Sequence, residues 1–301
     1  MSEELIPSTE LSLFAEQCPL GDESPTTENV DNESVVILDS DEHKIEEIKQ
    51  WLQHNIPEDI CVSWKETSED RIKELAKFGI KDIFKEWPRY FDSNGYQLID
   101  IDFDTMFPGK SDLMFNKIES VEEAITKELF PSLIKDKLNL TYYDAMLVFY
   151  LDCRHYYLIN LLHAVITPPR VNKNIKPFIT DAQMDMMVHL ININNFQQKL
   201  DELNESAHNE GLTLQPRVFV VDESPQNLKD FYVCVDNIKY KVGSLIRAID
   251  LVVKMSFVFN IEYSVKSKYV WIFLQRYIYD ISSKEKFPKI ENILNKLNNV
   301  Q

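Results

Sequence analysis

The sequence predicts an α+β fold: a mostly helical N-terminal half, followed by a C-terminal unit with a small antiparallel sheet packed by two apolar helices. Two observations favour this class: helical spacing of apolar residues through 43–170, and strand-like runs joined by a tight turn within 175–282. Apolar residues are 44% and charged residues 27% of the 301, as in ordinary globular proteins. A chain of this length can bury a core without disulfides or a metal ion.

Residues 1–42 are predicted to form a disordered acidic tail. This segment holds 12 Asp or Glu, no Lys or Arg, and one aromatic residue, Phe14. Because the tail can bury little apolar surface, folding would not offset its loss of conformational entropy. The tail carries 12 of the 17 net negative charges of the chain.

The region 43–170 is predicted to be helical. Apolar positions within 45–52 share one face of a first helix. A second helix is predicted from Ser68, a candidate N-cap, to residue 88. Residues 98–103 alternate apolar and acidic side chains, which indicates a short strand or an extended loop. Two further helices are predicted, at 119–138 and 141–165.

Residues 175–282 are predicted to form a compact α+β domain, and 283–301 a frayed C-terminal helix. The sequence FYVCVDNIKYKV consists of two apolar runs joined by a two-residue turn, which is typical of a β-hairpin. Ser244 is the predicted cap of a mostly buried helix. The polar positions of that helix are Arg247, Asp250 and Lys254. The other predicted elements are a strand at 186–193, a helix at 196–210, a strand within 215–221, and helices at 245–259 and 269–281.

The net charge of −17 argues against direct nucleic-acid binding, which needs a surplus of Lys and Arg. The first residues lack the basic start and apolar run of a signal peptide, and charges interrupt the apolar stretches at 145–166 and 251–261. We therefore expect no membrane partner. No two of the four cysteines are close enough to form a CxxC pair. These features predict an intracellular protein, in the cytoplasm or the nucleus, without a metal or another cofactor.

Signals for catalysis in the sequence are weak. With only six glycines, the chain has no GxGxxG loop. The sequence Gly109-Lys110-Ser111 is interpreted as an exposed turn, because Asp104 occupies the position where a phosphate-binding loop needs glycine. The alternative is an enzyme whose carboxylate/histidine site assembles from distant residues, such as Asp100 or Asp102 near His155.

The tail contains the segment ESVVILDSDE, residues 33–42. Four consecutive aliphatic residues are followed at once by acidic ones: Val35, Val36, Ile37, Leu38, Asp39, Ser40, Asp41 and Glu42. This pattern resembles a SUMO-interacting motif, in which an aliphatic segment adds as a strand to the edge of the SUMO sheet. The flanking acids would orient the segment against basic residues, and phosphorylation of Ser40 would add negative charge.

Two segments of the folded part, 78–103 and 216–281, carry a family resemblance. Their FVFNIEY and WIFLQR sequences resemble the C-terminal region shared by sterile alpha motif domain-containing protein 3-like proteins and related uncharacterised insect and fish proteins. The shared residues are mainly apolar, so the resemblance implies a fold and no catalytic residues. A sterile alpha motif domain is not predicted, because the interval between IKQWL and LAKFGI is too short for its five helices.

From the sequence we expect a non-enzymatic adaptor that uses residues 35–42 to bind SUMO or sumoylated proteins, with the nucleus as the favoured location. The folded body would supply a second contact surface or a homodimer interface. Two other interpretations of the aliphatic run stay open: it docks on the protein's own core, or it occurs by chance. A remnant of a mobile-element protein is a further alternative to the adaptor.

Overall fold

In a computed structural model of the chain, the described residues are 37–56, 59–132, 137–146, 151–170, 176–209, 215–236, 238–283 and 285–298. They form an α+β fold with one four-stranded mixed sheet. Residues 1–36, most of the tail that is predicted to be disordered, lie outside these ranges. The side chains of 37–42 also lie outside what the structure describes.

The N-terminal half is helical. Its helices are α1 (Ile37–His54), α2 (Ile60–Glu66), α3 (Ser68–Leu75), α4 (Ile80–Glu86), α5 (Gly95–Met106), α6 (Leu113–Glu128), α7 (Lys137–Met146) and α8 (Leu151–Val165). Single 3₁₀ turns lie at 88–91 and 130–132.

Four predictions for this half need correction. The predicted helix 68–88 is two helices, because Gly79 is extended, with φ −75° and ψ 158°, and acts as the N-cap of α4. Thr67, not Ser68, occupies the N-cap position of α3. Residues 98–103 are neither strand nor loop but the middle of helix α5. Helix α1 begins at Ile37, inside the predicted tail, so the boundary at 42 is too late.

The C-terminal part contains the sheet. Its elements are α9 (Ile179–Met186), β1 (Met187–Leu190), α10 (Phe196–Asn209), β2 (Arg217–Val221), β3 (Asp230–Val235), β4 (Ile238–Val242), α11 (Leu245–Val258), α12 (Lys268–Tyr277) and α13 (Pro288–Asn298). The strand order is β1-β2-β3-β4. The predicted hairpin is confirmed as β3 and β4. The sheet is mixed rather than antiparallel, because α10 connects β1 to β2 and the two strands run parallel.

The main hydrophobic core takes residues from both halves of the chain, from Leu52 in α1 to Leu297 in α13. Helix α11 lies between the sheet and α5, and a smaller apolar cluster fills the space between the other sheet face and α10. Helix α13 buries Ile290, Leu294 and Leu297, so this part of the predicted frayed end is anchored to the body.

Candidate functional site

The predicted binding segment 35–42 lies where the folded body begins. Val35 and Val36 are outside the described residues, and the backbone from Ile37 to Glu42 forms the first turns of α1. Strand addition requires an extended backbone, so binding in that mode would unwind this end of the helix. The first four N–H groups of a helix have no partner within it, which makes its first turn the easiest part to unwind.

A network of four charged side chains joins α5 to α11. Lys254 Nζ lies 2.8 Å from Asp100 Oδ1 and 2.9 Å from Asp250 Oδ2, and the Arg247 guanidinium binds both carboxylates. Tyr279 donates a hydrogen bond of 2.5 Å to Asp250. Burial acts to raise the pKa of Asp100, but the charges of Arg247 and Lys254 outweigh it and lower that pKa. For the fully buried Asp250 the effect of burial wins, and its pKa is raised.

Asp102 forms a second, separate cluster on the other side of α5. Its carboxylate accepts hydrogen bonds from Trp64 Nε1 at 3.1 Å, Tyr90 Oη at 2.5 Å and Arg71 Nε at 3.0 Å. Arg71 also donates to Thr67 Oγ1 and stacks over the Trp64 ring at 3.9 Å. The Arg71 and Asp102 side chains are both wholly buried. This cluster fixes α2 and α3 against α5.

The carboxylate beside His155 is that of Glu122 in α6. Glu122 Oε2 lies 4.0 Å from His155 Nε2 and 2.9 Å from Arg154 Nη2, and Glu122 Oε1 accepts a 2.7 Å hydrogen bond from Tyr143. Neither ring nitrogen of His155 has a hydrogen-bond partner within the described ranges. Burial, with a contribution from Arg154, lowers the pKa of His155 to about 4.

The contacts of the described residues therefore do not form the carboxylate/histidine site that the enzyme alternative predicts. Asp100 and Asp102 point to different basic partners, because positions two apart in a helix are on nearly opposite faces. His163 lies 3.2 Å from the Met186 sulfur. The Gly109-Lys110-Ser111 sequence is a turn in which Gly109 has φ 74° and Lys110 donates to the Asp280 carbonyl.

The described part of the chain contains no recognisable metal site or reactive thiol site. Within it, no three His, Cys, Asp or Glu side chains are grouped as a metal site. Cys153 and Cys234 are buried free thiols, and burial raises the pKa of both.

The surface formed by the described residues includes two open grooves. One, of about 610 Å³, is bounded by α6, α12 and α13, and its lining includes Lys117, Arg276 and Glu291. The other, of about 640 Å³, lies between α1 and the end of α4. Large apolar side chains are also exposed at several places: Trp51, Ile56, Val62, Phe78, Phe91, Phe115, Leu151, Phe178, Met184, Ile191 and Ile193.

Comparison with protein-family models, curated proteins and solved structures found no match to this chain. None of the helices in the described ranges combines the length and apolar character needed to cross a lipid bilayer.

Proposed function

We propose that this protein is an intracellular adaptor, located in the nucleus, that binds SUMO or sumoylated partners through residues 35–42. The observation that carries the proposal is the segment itself: four aliphatic residues, followed at once by acids, directly at the start of the folded body. A segment so placed would hold a bound partner close to the body. The resemblance to the sterile alpha motif domain-containing protein 3-like family supports a shared fold for the body and assigns it no reaction.

The exposed apolar side chains support a second contact surface on the body. Trp51, on the outer face of α1, is 45% exposed, and Ile56 just beyond that helix is 70% exposed. Aromatic side chains exposed in this way are enriched at protein interfaces. A partner held by residues 35–42 and lying along α1 would meet this apolar surface at the C-terminal end of the helix.

Binding is tested by titrating isotope-labelled SUMO with the full chain. We expect chemical-shift changes along the edge strand and adjacent basic residues of SUMO, and at least a tenfold loss of affinity in a Val36→Ala, Ile37→Ala variant. The matched control is Val30→Ala, which removes the same kind of side chain from the acidic tail outside the segment. The absence of shifts at millimolar concentration would overturn the proposal.

The binding mode is tested by Ser40→Pro. A proline there removes the helical hydrogen bonds of the first turn but is tolerated as the first residue of a shortened helix. If the segment binds as an added strand, Ser40→Pro keeps or raises the affinity for SUMO, because the helix no longer competes. A large loss of affinity would show that the helical form is the one that binds.

A further inference from the structure

The sheet ends at β4, which leaves one side of that strand without a neighbouring strand. In the order β1-β2-β3-β4, β4 pairs with β3 alone. Val235 and Ile238 flank the hairpin turn and pair with each other, and the pair that closes a two-residue turn exchanges backbone hydrogen bonds. Because such pairs alternate along an antiparallel ladder, the backbone N–H and C=O groups of Lys239 and Lys241 point away from β3.

This outer edge of β4 is open within the part of the chain that the structure describes. No group of that part hydrogen-bonds to the backbone of Lys239 or Lys241 from outside the sheet. Both residues are exposed, and a Cβ at Gly243, which follows the strand, would meet nothing within 4 Å. A strand edge with unpaired backbone groups is a template to which another extended segment can add.

Two lysines lie on one face of this edge, because Lys239 and Lys241 are two positions apart in a strand. Lys241 pairs with Asp230 at 2.6 Å, but the two side chains are 62% and 42% exposed, and an exposed pair of this kind adds little stability. Lys239 Nζ lies 4.6 Å from the centre of the Phe196 ring and has no carboxylate partner among the described residues. The hairpin segment 229–242 holds three lysines and two aspartates, a charge of +1 on a chain with a net charge of −17.

The opposite face of β4 is apolar. Ile238, Tyr240 and Val242 lie on that face and are buried. The half-buried Tyr96 is also there, with its ring centre 5.9 Å from that of Tyr240. Side chains on the same face of neighbouring strands lie about 5 Å apart. An added strand would therefore place one set of alternate side chains beside the lysines and the other set beside apolar and aromatic groups.

The two lysines discriminate among the strands that could add to β4. In an antiparallel pair of two β4 strands from two copies of the chain, the lysines of one copy would lie against those of the other. Like charges placed in this way destabilise strand pairing, and lysine on an edge strand opposes self-association. A peptide with acidic residues at alternate positions would bring carboxylates to the same places. Charge complementarity therefore favours an acidic partner over a second copy.

We propose that the free edge of β4 binds an extended segment of a partner protein in which acidic and apolar residues alternate. The segment adds to the sheet as a fifth strand. Its main chain hydrogen-bonds to the backbone of Lys239 and Lys241, and its carboxylates contact the two ammonium groups. This site is separate from residues 35–42 and does not depend on their binding to SUMO.

Binding is tested by titrating the isotope-labelled full chain with the synthetic peptide SEVEIEVS, in which glutamates alternate with aliphatic residues. We expect chemical-shift changes in the backbone amides of 238–243, and slower hydrogen exchange of the Lys239 and Lys241 amides, which gain acceptors. The comparison peptide SKVKIKVS should bind about tenfold more weakly, because attractive cross-strand contacts become repulsive. The absence of shifts at millimolar peptide, equal binding of both peptides, or shifts that spare 238–243 would overturn the proposal.

The role of the lysines is tested by reversing their charge. In Lys239→Glu, Lys241→Glu the preference should invert, so that SKVKIKVS binds more tightly than SEVEIEVS. The matched control Lys127→Glu, Lys176→Glu reverses the same charge at exposed positions outside the sheet and should keep the preference for the acidic peptide. If the two variants respond alike, the lysines of β4 do not select the peptide and the proposal fails.

Strand addition is tested with two N-methylated forms of SEVEIEVS, each methylated at one of the two sets of alternate residues. The N–H groups of one set face β4, so methylation of that set should abolish binding, whereas methylation of the other set should preserve it. Equal effects of the two patterns contradict strand addition. Shift changes at 238–243 that appear when the protein concentration is raised without peptide would show that a second copy occupies the edge, and would overturn the proposal as well.

Discussion

At the scale of single residues, Asp102 is the buried charge on which the packing of α2 and α3 against α5 depends. Its neighbour Asp100, two positions earlier, serves a different helix. The sequence shows acids alternating with apolar residues at 98–103, which predicts a short strand or an extended loop. In the structure Asp102 is on the buried face of α5 with Leu98, Ile99 and Phe103. The alternation misled because Asp102 is neutralised inside by Arg71, which is 31 positions away in sequence.

We expect Asp102→Asn to lower the free energy of unfolding by about 3–5 kcal/mol, because it leaves the Arg71 guanidinium buried without a counter-charge. Urea unfolding of the variant measures this. The control Glu119→Gln makes the same chemical change on an exposed face of α6 and should alter stability by less than about 0.5 kcal/mol. Equal effects of the two changes would contradict the assigned role of Asp102.

At the scale of elements, the sequence predicted correctly those elements whose turn or first residue is determined by neighbouring residues alone. The β3–β4 hairpin follows from its turn, in which Asp236 adopts the left-handed conformation with φ 49°. The start of α11 follows from Ser244, whose hydroxyl accepts a 3.1 Å hydrogen bond from the Arg247 backbone N–H. The parallel pairing of β1 with β2 was missed, because it depends on a crossover through α10 that no local pattern specifies.

The start of α5 gives a prediction at this scale. A Cβ at Gly95 would lie 2.5 Å from the Tyr90 carbonyl oxygen and 3.0 Å from that of Arg89, so the preceding turn is packed directly against the helix. We expect Gly95→Ala to lower the free energy of unfolding by about 1–3 kcal/mol through overpacking. At Gly243 a Cβ would meet nothing within 4 Å, so Gly243→Ala should be neutral or slightly stabilising. Thermal or urea unfolding of both variants tests the contrast, and a neutral Gly95→Ala would refute this account of the turn.

At the scale of the whole molecule, the helical half and the sheet-containing part share one hydrophobic core. The charged network reinforces this connection, since Asp100 and Arg247 are 147 positions apart in sequence. The sequence did show the polar stripe Arg247, Asp250 and Lys254 on α11. The sequence could not show that Asp100 of α5 faces this stripe, because the segment containing Asp100 was predicted to be a strand or loop. The candidate binding segment, in contrast, was identifiable from sequence because its chemistry is local.

Acid sensitivity is also a property of the whole molecule, because helix α8 carries two buried histidines into the shared core. Burial lowers the pKa of His163 to about 3, and the pKa of His155 is about 4. An unfolded histidine has a pKa of about 6.5. Between these values the unfolded chain binds more protons than the folded chain, so the free energy of unfolding decreases as the pH falls below about 6.5.

Each of these histidines should cost about 2 kcal/mol of stability between pH 6.5 and pH 5, since one pKa unit corresponds to about 1.4 kcal/mol. Urea unfolding at pH 7 and pH 5 measures the loss in the natural chain and in His163→Leu. The variant lacks one of the two groups, so its loss between the two pH values should be smaller by about 2 kcal/mol, whatever its stability at pH 7. The control variant His54→Gln removes an exposed histidine of α1 and so separates the effect of burial from that of losing a histidine anywhere in the chain. If His163→Leu loses as much stability on acidification as the natural chain, His163 is not held neutral by its burial beside Met186, and another group must account for the acid response.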